Sequence, residues 1–109
     1  MKQLEAEFQA QVMQLAKLRG WRSAHFRRSR TKTGWSTAVA GDGVGWPDLF
    51  LVRATTGQKL AAELKVPPNK VTPEQTQWLS DMEACGIPAF VWCPKDWDEI
   101  ETVLEHGPK

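Results

Sequence analysis

The chain has 109 residues, 41% of them apolar, with 14 Lys and Arg against 13 Asp and Glu; this fits one domain over residues 1–109 and leaves little room for a second. No stretch approaches the roughly 20 apolar residues a membrane span needs, and the opening Met1-Lys2-Gln3-Leu4-Glu5-Ala6-Glu7 is too acidic and polar for a signal peptide, so a cytoplasmic protein is expected. Cys85 and Cys93 are not spaced as a CxxC pair and the histidines are His25 and His106, which argues against a zinc site or a disulfide framework and reads both cysteines as small core residues.

Leu4, Phe8, Val12, Leu15 and Leu18 recur at helical spacing, predicting an amphipathic helix over about residues 3–19 that Gly20 ends. Trp21 to Arg27 alternates weakly and reads as a strand, and the Ser-, Thr- and Gly-rich stretch from Arg28 to Gly45 reads as a long mobile loop. Asp48-Leu49-Phe50-Leu51-Val52-Arg53 and Lys59-Leu60-Ala61-Ala62-Glu63-Leu64-Lys65 are strand-like runs around the turn Ala54-Thr55-Thr56-Gly57-Gln58, a hairpin signal. Pro67-Pro68 stops the second run, since proline cannot donate to a ladder. Thr72-Pro73-Glu74-Gln75 is a capping-box pattern with proline at the first helical position, opening a helix that ends near Gly86. Ala89-Phe90-Val91-Trp92 reads as a short strand, Asp96-Trp97-Asp98-Glu99 as the acidic first turn of a last helix to about Glu105, and His106 to Lys109 as a frayed tail. The expected order is α-β-β-β-α-β-α.

The near-neutral total hides an uneven distribution. Between Phe8 and Gly41 stand Lys17, Arg19, Arg22, Arg27, Arg28, Arg30 and Lys32 with no Asp or Glu, whereas the remainder from Asp42 is acidic. A basic block of this kind is either a solvated surface or one that binds phosphates.

Charged residues also interrupt the apolar hairpin. Strand side chains alternate, so Glu63 and Lys65 share one face while Leu60, Ala62 and Leu64 take the other. A hairpin tip centred near Thr55-Thr56 sets Asp48 opposite Glu63, and opposed residues share a face. Two facing carboxylates repel unless something lies between them. Mg²⁺ prefers oxygen ligands and keeps several waters, so Asp48, Glu63 and the Leu64 carbonyl would make an open site able to take a phosphate oxygen, with Lys65 facing the attacking water or the scissile phosphate. The plainer reading of Glu63 and Lys65 is a surface ion pair at a strand end.

This constellation, Pro47-Asp48 followed by Glu63-Leu64-Lys65, resembles the PD-(D/E)xK nuclease superfamily with its restriction-endonuclease-like core. With Glu5-Ala6-Glu7-Phe8-Gln9, Gly20-Trp21, His25, Gly41-Asp42-Gly43 and Pro73-Glu74-Gln75, it resembles more narrowly a stand-alone VRR-NUC (virus-type replication-repair nuclease) domain. The resemblance implies an α/β mixed sheet flanked by helices and a DNA endonuclease using Mg²⁺ or Mn²⁺ bound by Asp48 and Glu63. Lys65 would position or activate the attacking water, and hydrolysis would be direct, leaving a 5′-phosphate and a 3′-hydroxyl. It further implies branched DNA such as four-way junctions as substrate, a homodimer, no organic cofactor, and a bacterial or phage-infected cell.

Secondary candidates follow. The centre of the first helix's apolar stripe lies about 60° from Glu5 and about 100° from Glu7, and Glu5 also matches the family's E-x-x-F-Q pattern, so Glu5 is the auxiliary metal residue or else a solvated helix-start glutamate. Gln75 either caps its own helix through Thr72 or, as the family places it, sits beside Lys65. His25 would face the same cleft or be an ordinary strand-end histidine. Arg22, Arg27, Arg28, Arg30 and Lys32 would contact phosphates rather than read bases. Trp35 and Trp46 would stack on a base or pack. The alternatives to junction cleavage are flap, nicking or restriction-like endonuclease action, or a non-catalytic nucleic-acid-binding module.

Overall fold

A computed structural model describes residues 4–26, 29–31, 34–36 and 42–108. Helix α1 (Glu5–Leu18) ends where the Arg19 N–H turns back onto the Leu15 and Ala16 carbonyls and Gly20 adopts a positive φ of 84°, a backbone state that favours glycine. After β1 (Arg22–His25) come two short strands, β2 (Ser29–Thr31) and β3 (Gly34–Ser36), then β4 (Leu49–Arg53) and β5 (Gln58–Leu64). Helix α2 (Pro73–Ala84) leads to β6 (Ala89–Trp92), a 3-10 turn (Pro94–Asp96) and α3 (Trp97–His106).

The main sheet runs β1-β4-β5-β6. Its first two pairings are antiparallel and β5 pairs with β6 in parallel, with α2 as the crossover that a parallel pair requires. The α-β-β-β-α-β-α order and the mixed sheet flanked by helices are therefore found. Part of the stretch read as a long loop is instead the β2–β3 hairpin, a separate two-stranded sheet pairing Ser29 with Ser36 and Thr31 with Gly34. Backbone ladders need no hydrophobic side chains, so a Ser- and Thr-rich ribbon leaves little periodic signal.

Alternation in β4 buries Leu49, Leu51 and Arg53 on one face. Leu49 and Leu51 meet Leu60, Ala62 and Leu64 of β5, Phe8, Val12 and Ala16 of α1, Trp92 of β6, and Ile100 and Leu104 of α3 in one core. The second face carries Phe50 and Glu63; there Trp46 stacks on Phe50 and meets Trp78 of α2. The central strand β5 is thus covered on both sides, with Ala61 and Glu63 as buried as their neighbours.

The core face closes at the far end of β4 around Arg53, which is only 8% exposed. Its guanidinium lies over the Trp21 ring and donates to the carbonyls of Arg19, Leu104 and Glu105 and to Gln58 Oε1. Helix C-terminal carbonyls lack intrahelical donors and carry partial negative charge, so this one cation joins the ends of α1 and α3.

Two further expectations are corrected. Cys85 is exposed just past the last turn of α2, and Cys93 is half-buried with its thiol donating to Asp96 Oδ2; their places at element ends keep both out of the core. His106 to Pro108 is not frayed, because Gln58 Nε2 donates to the His106 carbonyl and the Gly107 N–H to Val103. Among the described residues no helix is long and apolar enough to cross a membrane.

Candidate active site

The hairpin pairs Leu49 with Ala62 and Arg53 with Gln58, a register that continues one step to Asp48 and Glu63, as the turn arithmetic predicts. Both Asp48 and Lys65 stand one residue outside the strands that deliver them. Pro47, fully buried, precedes Asp48; lacking an N–H, it marks where the ladder begins. The preceding turn is fixed against α2. Trp78 Nε1 donates to the Asp42 and Val44 carbonyls, and Gly45, at φ 91°, approaches Glu74 so closely that a Cβ would lie 2.7 Å from its carbonyl oxygen.

Asp48 Oδ2 accepts a hydrogen bond from the Leu64 N–H at 2.9 Å. Glu63 is 1% exposed, and neither carboxylate oxygen receives an N–H or O–H donor. Burial pushes the Glu63 carboxyl up to about 9, the facing Asp48 carboxyl and its charge push in the same direction, the nearby Lys65 opposes them, and Glu5 adds a smaller upward push.

Glu5, in the first turn of α1, is half-buried whereas Glu7 is exposed, matching the helical-face argument. Glu5 Oε2 accepts from Asn69 Nδ2 at 2.6 Å. Glu5, Ala6, Gln9, Asp48 and Leu64 line a cleft of about 180 Å³, room for on the order of six waters. Gln9 lies one turn beyond Glu5 on the same face, so helical spacing could have singled it out; Asn69 is brought in only by the tertiary fold.

The remaining candidates are distributed more widely. Gln75 completes the capping box, its Oε1 accepting from the Thr72 N–H while its own N–H donates to Thr72 Oγ1. His25 pairs with Leu49 and so shares the core face, opposite to that of Glu63. Arg22 is exposed at the start of β1, opposite Val52, roughly 13 Å along the strand from the carboxylates. Arg30 lies in β2, and Arg27, Arg28, Lys32 and Lys109 lie outside the described residues. Trp46 is packed among three rings, while Trp35 lies in β3.

Among the described residues no three His, Cys, Asp or Glu side chains converge to hold a metal ion. The donors at hand are the Asp48–Glu63 pair, with Glu5 on the cleft wall. An all-oxygen set of two carboxylates beside a water-sized cleft suits a hard divalent cation that retains part of its hydration, not a closed cage. The unsatisfied Glu63 oxygens are the feature such an ion fits.

In comparison with known proteins, the model of the VRR-NUC domain matches residues 3–93, a span that includes Glu5, Asp48, Glu63, Lys65 and Gln75. No curated protein and no solved structure matches.

Proposed function

The chain belongs to the VRR-NUC domain family, a family of nucleases, and from that premise we propose that it is a metal-dependent endonuclease that hydrolyses phosphodiester bonds in branched DNA such as four-way junctions. The observation that carries the reading is the buried Glu63 carboxylate, both oxygens without a donor, facing Asp48. A buried carboxylate pair held in this way is costly, and a cation-binding role accounts for its presence.

Asp48, Glu63 and the Leu64 carbonyl would hold Mg²⁺ or Mn²⁺, with Glu5 as the auxiliary carboxylate acting on it through water. When bound, the cation supplies neutralising charge at the scissile phosphate. Lys65 positions or activates the attacking water, and Gln75 lies beside it. Water oxygen bonds to phosphorus, the bond to the 3′-oxygen breaks, and the proton the water gives up passes through solvent to that oxygen, leaving 5′-phosphate and 3′-hydroxyl ends without a covalent enzyme intermediate. Arg22, Arg27, Arg28, Arg30 and Lys32 bind neighbouring phosphates, a sequence-independent contribution. Two copies related by a twofold axis cut the two symmetric strands of a junction.

The test is a cleavage panel of duplex, flap, splayed-arm and four-way-junction DNA with Mg²⁺ or Mn²⁺. Asp48→Ala and Lys65→Ala are each expected to reduce cleavage by at least about a hundredfold, the scale of removing a transition-state charge partner, with binding kept within a few-fold. Variants that cut like the wild type would remove these residues from the site. A wild type that binds branched DNA but cuts nothing with either metal would be a binding module.

A further inference from the structure

Beside the carboxylates stands an aromatic ring that the cleavage chemistry does not use. The Phe26 N–H donates to the Asp48 carbonyl at 3.0 Å, extending the β1–β4 register of His25 with Leu49 by one residue. Phe26, Asp48 and Glu63 therefore form one row across three neighbouring strands. With strands about 4.8 Å apart, the Phe26 backbone lies about 5 Å from that of Asp48 and about 10 Å from that of Glu63, within the span of one nucleotide.

The ring is held from behind and open in front. Trp46 meets it edge-on at 5.8 Å and 83°, and Trp46 is itself braced by Phe50 at 6.3 Å and Trp78 at 5.0 Å. Phe26 nevertheless remains 43% exposed. A phenyl ring backed by a braced tryptophan and presented to solvent next to charged groups is poor packing but a preorganised surface, since less rotamer freedom remains to be lost on binding. Phenylalanine has no polar atom with which to read a base edge. It can take only the face of a base, and a base inside a continuous duplex has both faces covered by its neighbours.

We propose that Phe26 is a specificity-determining residue that stacks on an unpaired base adjacent to the scissile phosphate, so that the site selects DNA with unpaired or splayed nucleotides over continuous duplex. This rests on the cleavage reading above and names the substrate class of the same site. Trp46, nearer to Asp48 in sequence, is the support for the ring and not the stacking surface.

The experiment compares Phe26→Ala, Phe26→Leu and Phe26→Trp in the full chain, with folding followed by circular dichroism. Binding is measured on a Lys65→Ala background, using duplex DNA and flap DNA that carries 2-aminopurine at the first unpaired position. Phe26→Ala and Phe26→Leu are expected to lose about five- to hundredfold in flap affinity and to abolish the 2-aminopurine quenching seen with Phe26, while duplex affinity changes by less than about twofold. Phe26→Trp should retain flap affinity and quenching, and Phe26→Leu separates stacking from packing because it still fills the space against Trp46. Folded variants that bind and cut flap and duplex in the wild-type ratio overturn the inference and leave the cleavage reading intact. A wild type that cuts no form of DNA overturns both.

Discussion

Glu63 joins the site's electrostatics to the stability of the protein. Its carboxyl is raised to about 9 in the folded chain from an ordinary 4.5, chiefly by burial and then by Asp48. The folded state therefore retains a proton that the unfolded chain releases. The stabilisation is complete below about pH 4.5 and declines as pH rises towards about 9. Asp96, held below the usual carboxylate range by the Cys93 N–H, titrates under that window and does not obscure it. Thermal melts in EDTA should show Tm falling between pH 5 and pH 9 for the wild type. Glu63→Gln, uncharged, similar in shape and able to donate to Asp48, should flatten this slope and raise Tm at pH 8. Equal slopes for the two proteins would remove Glu63 as the cause. On the proposed metal-binding role a cation would take the proton's place, so Mg²⁺ should raise the wild-type Tm more at pH 8 than at pH 5 and should leave Glu63→Gln nearly unmoved.

Among the elements, α2 has two tasks: its capping box starts the helix, and its Trp78 and Glu74 fix the turn that leads to Asp48. Thr72→Ala removes one side of the box and should cost about 1 kcal/mol in denaturant unfolding. Gln75→Glu keeps the box, since glutamate serves equally at that position, and on the proposed function would place a negative charge beside Lys65. Unchanged stability with reduced cleavage is the expected result, and retention of both would leave Gln75 a cap alone. Elements built on local rules were legible in the sequence: the α2 cap from Thr72 to Gln75, the Asp48–Glu63 register from counting across a turn, and the Glu5 face from helical geometry. What depended on remote partners was not. Arg53 carried no signal beyond its place at the end of a strand-like run, although it joins residues from 19 to 105. Phe26 and Asn69 enter the cleft region through contacts with Asp48 and Glu5, which no local pattern announces.

For the molecule as a whole, uneven charge and small size carry the consequences. On the proposed function, the basic stretch before Asp42 and the carboxylates after it would divide DNA attraction from chemistry, and one chain would supply one site. Light scattering of the free protein should therefore give twice the 12.3 kDa of the chain. A strict monomer at cleavage-active concentrations would end the case for coordinated junction cutting and favour flap or nicking action. The two ends of the β4–β5 hairpin also differ in how firmly they are held. At one end Arg53 fastens two helices to the sheet through five acceptors drawn from residues as far apart as Arg19 and Glu105. At the other, two carboxylates crowd one another and α1 begins without a side-chain cap. Local opening should begin at this second end; on the proposed function the molecule would then loosen around the carboxylates to admit or discard a DNA strand while its opposite end remained folded.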